Sequence, residues 1–409
     1  MINISAPLIE TRDNKAYLVA NIVNENFESR KLWYSVSVDY AEFLSPEVGD
    51  AFLVALLSVA MKNCEDISVE APISPHLLFH IRHSIAPMLT HVIPGSRIPT
   101  IYASSNEIPT YHPQAVGTGC SLGVDSFSSI LSHIEPNCPE DYKLTHLALF
   151  NCGQLGDLNL ESAEKDLYKK IEEVKPLAKD LGLKVIAVNS NINEFYINSN
   201  VLLLQSFVQR TVSVPLALQK LFKVYSMASS YPTNCFELSD HDVSYASAAL
   251  LPLFSSNSLE FINSTPMMTR VDKTKYIADS LYVQKYLDVC WAAQSKNSDK
   301  NSTLWIGKTK KNCGKCDKCL RTLFTLELLG KKDAYADIFD FDEYNKYKNK
   351  YIIKCIGHRS KNIMCREVHE LMEEVGYQVP LKLRIAGFIV KLGIYDFLQR
   401  IFKFSTMAR

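Results

Sequence analysis

The chain has 409 residues, 47% of them apolar and 22% charged, which is ordinary globular usage and excludes collagen-like, coiled-coil and wholly disordered chains. That length suggests two or three domains. Lys plus Arg and Asp plus Glu each number 44, so no global basic field argues for nucleic acid, and none is expected as a partner.

Lys15–Val23 and Lys31–Val38 alternate like strands, Val48–Met61 reads as a buried apolar helix, and Pro72–Pro99 is punctuated by proline. Residues 1–105 are therefore expected as a small α+β domain. His76, His80, His83 and His91 recur near helical spacing around Arg82, as an amphipathic helix or a substrate-facing surface would place them. From residue 106 the pattern changes. Gln114–Gly119 predicts a strand, Val124–His133 a helix, Leu144–Phe150 a strand, Glu161–Leu181 a long helix, Lys184–Val188 a strand, and Ser206–Ser226 a helix bent near Pro215. Strand and helix in turn predict an α/β fold with a parallel, doubly wound sheet over 106–330 and a ligand beyond the carboxyl ends of the strands. Ser229–Asn263 looks irregular, Thr265–Ala278 helical, and 331–409 a helical extension.

Gly117-Thr118-Gly119-Cys120-Ser121-Leu122-Gly123-Val124-Asp125-Ser126 ends a strand, turns on small residues and opens a helix. Backbone amides in such a turn, with the positive end of the helix dipole, make an anion site. The Walker and Rossmann spacings are absent. Ser121-Leu122-Gly123-Val124-Asp125-Ser126 resembles the Ser-Gly-Gly-x-Asp-Ser signature of the PP-loop ATP pyrophosphatases, whose fold is adenine nucleotide α-hydrolase-like. Leu122 stands where that family has Gly, a departure that an ordinary φ would accommodate. The resemblance implies binding of ATP with Mg2+. Ser121, Gly123, Asp125 and Ser126 would then cradle the phosphates, and Asp125 and Ser126 would act in catalysis. It also implies adenine near Phe150 and Asn151, although Phe150 suits the sheet core equally. Arg210 would face the triphosphate, or else be a surface arginine. Thr265-Pro266-Met267-Met268-Thr269-Arg270-Val271-Asp272-Lys273 resembles the family's late Thr-Pro…Lys element and would bring Lys273 and Arg270 to the pyrophosphate.

Eleven cysteines, three of them within seven residues, favour thiols and a metal over a disulfide framework. Cys313, Cys316 and Cys319 stand at two-residue gaps, and Cys290, with 22 residues intervening, is the best fourth ligand for a closed, structural zinc. An iron–sulfur cluster would use the same ligands. Lys315, Lys318 and Arg321 favour thiolates electrostatically. The order of loop, Thr-Pro…Lys, Cys and Cys-x-x-Cys-x-x-Cys is similar to that of the 7-cyano-7-deazaguanine synthases over residues 112–328. The flanking regions have no counterpart there. The layout also looks like the PP-loop branch tied to surface-polysaccharide or peptidoglycan-precursor metabolism, which includes an ATP-dependent muramoyl-peptide glutamate epimerase.

The expected activity is ATP-dependent adenylation of a small-molecule or cell-envelope carboxylate, for amide or nitrile formation or for epimerisation. Glu237, Asp240, His241 and Asp242 are candidate bases. PP-loop sulfur transfer, with Cys120 and Cys152 beside the nucleotide site, and a non-catalytic nucleotide-binding scaffold are the alternatives.

Met1–Glu10 has neither a basic n-region nor an apolar h-region, and Ala51–Met61 is too short to span a bilayer, so the chain reads as cytoplasmic. Val379–Arg409 interleaves Lys382, Arg384, Lys391, Arg400 and Lys403 with Leu, Ile, Phe and Val and carries one acid, Asp396. This suits a peripheral helix on the inner face of a membrane, or a helix packing on its own chain or on a second copy in a homo-oligomer.

Overall fold

The computed structural model describes residues 1–24, 27–104, 108–153, 160–290 and 310–392. They form two compact units, one of residues 1–121 with 129–267, the other of 122–128 with the residues from 268 onward.

The first unit is built on one sheet of β1 (Ile2–Ile4), β2 (Leu8–Arg12), β3 (Lys15–Asn24), β4 (Phe27–Ser37), β5 (Ile67–Val69), β6 (Ile101–Tyr102), β7 (Ala115–Gly119), β8 (His146–Asn151), β9 (Lys184–Ser190), β10 (Phe222–Ala228) and β11 (Glu260–Ser264). The order is β11-β10-β7-β8-β9-β4-β3-β1-β5-β6, with β2 beside β3. Strands β7 to β11 are mutually parallel. The protein is thus α/β with a mostly parallel central sheet. The strands of the first 105 residues run in that same sheet, because β4 pairs antiparallel with β9 through Tyr34–Ser190 and Ser35–Asn189.

The longer helices are α1 (Asp50–Asn63), α2 (Val124–Ile134), α3 (Leu160–Leu181), α4 (Leu203–Leu216), α5 (Arg270–Ile277), α6 (Asp317–Leu328), α7 (Phe341–His358), α8 (Ile363–Glu374) and α9 (Leu381–Lys391). Helix α1 is apolar all round and is buried from Asp50 to Met61, as such a sequence requires. Strand β8 is buried at every residue, the condition of a strand covered on both faces.

The expected helix over Ser206–Ser226 is corrected. Helix α4 ends at Leu216, just past Pro215, and Phe222–Ala228 is a strand between β7 and β11. Its β-branched and aromatic residues, Phe222, Val224 and Tyr225, fill the core there. A buried hydroxyl network fastens this part of the sheet. Thr118 Oγ1 lies 2.8 Å from Ser129 Oγ, Ser129 Oγ 2.6 Å from Ser264 Oγ, and His133 Nε2 2.9 Å from Ser226 Oγ; Ser226 and Ser264 are also bonded. Burying this many polar groups is tolerable because each has a partner.

Candidate anion site and metal centre

In the second unit the first turn of α2 follows Leu122, whose φ is +63° and whose side chain is fully buried. A left-handed conformation costs a non-glycine residue about 1–2 kcal/mol. The condition under which Leu would be accommodated here, an ordinary φ, is therefore not met: the position keeps the backbone that a glycine would favour. Asp288 N–H donates to Leu122 O at 2.8 Å and fixes the turn.

Asp125, in the first turn of α2, meets two cations from α5. Arg270 Nη2 is 2.8 Å from Asp125 Oδ2, and Lys273 Nζ is 3.3 Å from Asp125 Oδ1. Arg270 and Lys273 are three residues apart and so share a helix face. The start of α5 is set by a capping box, in which Asp272 N–H donates to Thr269 Oγ1 and Thr269 N–H to Asp272 Oδ2. Lys273 has a side chain only 1% exposed; burial lowers its pKa and Asp125 opposes that. Lys318 and Arg321, also three apart, come from the start of α6. Burial lowers the pKa of Lys318, with Arg270 and then Arg321 adding to the effect; burial and then Arg270 likewise lower that of Arg321. Glu367 of α8 accepts from Arg270 N–H at 3.0 Å, and burial raises its pKa.

Four cations thus gather with two carboxylates. Each cation sits in or just past the first turn of a helix, the end where the dipole disfavours positive charge. The Nε atoms of Arg270 and Arg321 are buried without a hydrogen-bond partner. Buried charges are ordinarily paired and their donors satisfied. A polyanion would supply acceptors for these two Nε atoms.

The same unit holds Cys290, Cys313, Cys316 and Cys319, whose sulfurs all lie within 4.8 Å of one another. Cys313 and Cys319 Sγ are 3.9 Å apart, far beyond a disulfide bond. Thiolates about 2.3 Å from a tetrahedral zinc stand about 3.8 Å from each other, so the four residues fit one such ion. A cluster of several irons, each with its own cysteine, needs wider spacing. Gly314 (φ +69°) makes the knot possible, since a Cβ there would meet Asp340 O at 2.1 Å. Asn312 closes it: its Oδ1 accepts from Val289 N–H at 2.8 Å and its Nδ2 donates to Leu287 O at 2.9 Å. Cys290 follows two residues after Asp288, whose amide holds Leu122, so knot and loop share a short stretch of backbone. Lys315, expected beside the thiolates, pairs with Glu343 at 3.4 Å.

The remaining sequence candidates lie elsewhere. Ser121 is exposed and belongs to the first unit; Gly123 and Ser126 belong to the second, with Ser126 buried. Arg210 is buried in the first unit, donating to Asn193 Oδ1 at 2.7 Å and Ser206 Oγ at 2.9 Å over the ring of Tyr196. Phe150 stacks on Tyr225 in the sheet core, and Asn151 donates to Asn189 Oδ1 at 2.6 Å. Of the candidate bases, Asp242 caps a turn by accepting from Ser244 N–H at 2.9 Å, Asp240 and His241 pair 3.3 Å apart, and Glu237 is exposed. His76, His83 and His91 are exposed. Arg400, Lys403 and Asp396 lie outside the described residues. Lys318, Arg321 and Glu367 were not legible as anion-site residues. The signal was the basic i, i+3 pair around Cys319, for which the neighbouring thiols already offered a reason.

No family model, curated protein or solved structure matches the chain. No helix among the described residues is long and apolar enough to cross a membrane.

Proposed function

We propose that this protein is an ATP pyrophosphatase of the PP-loop kind, which adenylates a carboxylate of a small molecule or cell-envelope precursor. A carboxylate oxygen attacks the α-phosphorus of ATP and the bond to the β-phosphate breaks. Pyrophosphate leaves with the bonding electrons, and an acyl-adenylate remains. A nitrogen donor then displaces AMP to form an amide, which a second ATP-dependent activation of its oxygen can dehydrate to a nitrile; alternatively the α-proton is lost and returned on the opposite face, and water releases AMP from the epimerised acid. ATP brings its Mg2+ as part of the substrate.

The observation that carries this reading is the gathering of one buried and three half-buried cations around Asp125, with two guanidinium Nε atoms left without an acceptor. Arg270, Lys273, Lys318 and Arg321 would stabilise the negative charge that develops on departing pyrophosphate, and preorganised charge of this sort is usually the main source of an enzyme's rate enhancement. The four-cysteine knot would hold a structural zinc, since four thiolates leave no open position for catalysis.

Sulfur transfer is less well supported. Cys120 is buried, and burial pushes the Cys152 thiol up to about 12, away from an activated thiolate. The test is incubation with ATP and candidate acids. AMP with pyrophosphate is expected and should vanish in Asp125→Ala/Ser126→Ala; ADP with phosphate rejects the mechanism. ATP binding without turnover would instead support the scaffold.

A further inference from the structure

We propose that α9 and Leu392 form a docking surface for an anionic lipid bilayer. Helix α9 packs on α7 by its Leu383 and Gly387 side. The contact is close, because a Cβ on Gly387 would lie 2.5 Å from Ile356, and one on Gly357 would lie 2.4 Å from Val390. A helix held by one face normally presents polar residues on the other. This one does not. At the helical spacing of i, i+4, i+7 and i+11, Leu381, Ile385, Phe388 and Leu392 form one stripe on the side away from Leu383 and Gly387. All four are exposed, Leu381 by 70% and Phe388 by 57%.

The charges fit the same ligand. Lys382 flanks the stripe on one side, and Arg384 and Lys391 flank it on the other. Leu381–Leu392 contains no acid. Apolar side chains bordered by cations are what a helix lying at a headgroup boundary presents. Beside it is a cavity of about 760 Å³ lined by Arg359, Arg384, Lys391, Ile385 and Phe388, with Glu373 its acid. It places three cations next to apolar walls, the chemistry of a lipid phosphate above acyl chains. A second copy is a poorer occupant. Pairing two such faces would oppose like charges along the whole stripe, with no carboxylate on either helix to offset them.

The test uses the full chain with its metal, co-sedimented with phosphatidylcholine vesicles with and without phosphatidylglycerol. Binding should be about tenfold or more tighter to the anionic vesicles and should weaken as salt is raised. Ile385→Ser/Phe388→Ser should lower it about tenfold or more, with metal content and unfolding midpoint unchanged. Lys382→Gln/Arg384→Gln/Lys391→Gln should remove the preference for phosphatidylglycerol, and this second variant decides the matter if the first is unstable. Equal sedimentation of wild type and both variants, or no sedimentation at all, overturns the proposal. So does a concentration-dependent dimer that the serine variant abolishes. None of these outcomes depends on the nucleotide chemistry.

Discussion

Asp125→Asn removes the carboxylate shared by Arg270 and Lys273 while keeping the shape of the side chain. Breaking a buried ion pair by removing one partner costs about 3–5 kcal/mol, because a charge is left without compensation. Lys273 meets that condition, but Asp125 is itself 27% exposed, which reduces the cost. We therefore expect a loss of about 2–3 kcal/mol in unfolding free energy. Glu367 is then the carboxylate left beside four cations, so a bound polyanion becomes more valuable to the fold. A ligand at about a hundred times its Kd adds about 2.7 kcal/mol by mass action, enough to offset the loss. The assay is urea unfolding of wild type and variant, with and without pyrophosphate, against sodium chloride of equal ionic strength. Pyrophosphate should stabilise both proteins and restore most of the variant's deficit. If it does no more than the chloride control, the cations are a structural network and the anion site is refuted.

Three further outcomes follow from the same geometry. Burial holds the pKa of Lys273 below the ordinary 10.5. Between the depressed value and 10.5 the unfolded chain carries more protons, so stability should rise with pH across that window, and the rise should shrink in Lys273→Met when urea midpoints are compared. Chelating the metal should free four thiols to a thiol reagent and abolish stabilisation by pyrophosphate, because Leu122 is held from Asp288 and Lys318 and Arg321 follow Cys316 and Cys319; retained pyrophosphate binding in the metal-free chain would separate the two sites. At Leu122 both Gly and Ala lose a buried side chain, at about 2–4 kcal/mol, but only Gly relieves the left-handed strain of about 1–2 kcal/mol. Leu122→Gly should therefore unfold at higher urea than Leu122→Ala, the reverse of the usual order.

What the sequence by itself determined was local. Two-residue gaps between cysteines point directly to a knot that could hold a metal, since one tight turn can bring all three to an ion. The small-residue turn before Val124 and the spacing of Arg270 and Lys273 also depend on nearest neighbours along the chain. The alternation of strand and helix carried the α/β class for the same reason. Tertiary structure alone decided that Phe222–Ala228 is a strand, because a short apolar run fits either period until its neighbours on both sides are in place. It alone joined β4 to β9, through a pairing of residues more than 150 positions apart. And it alone brought Lys318, Arg321 and Glu367, which read as surface charges, to the Asp125–Arg270 pair. Each lies roughly 200 residues or more from Asp125 in the chain. Electrostatic energy depends on distance in space and on exclusion of water, and neither is written in sequence spacing.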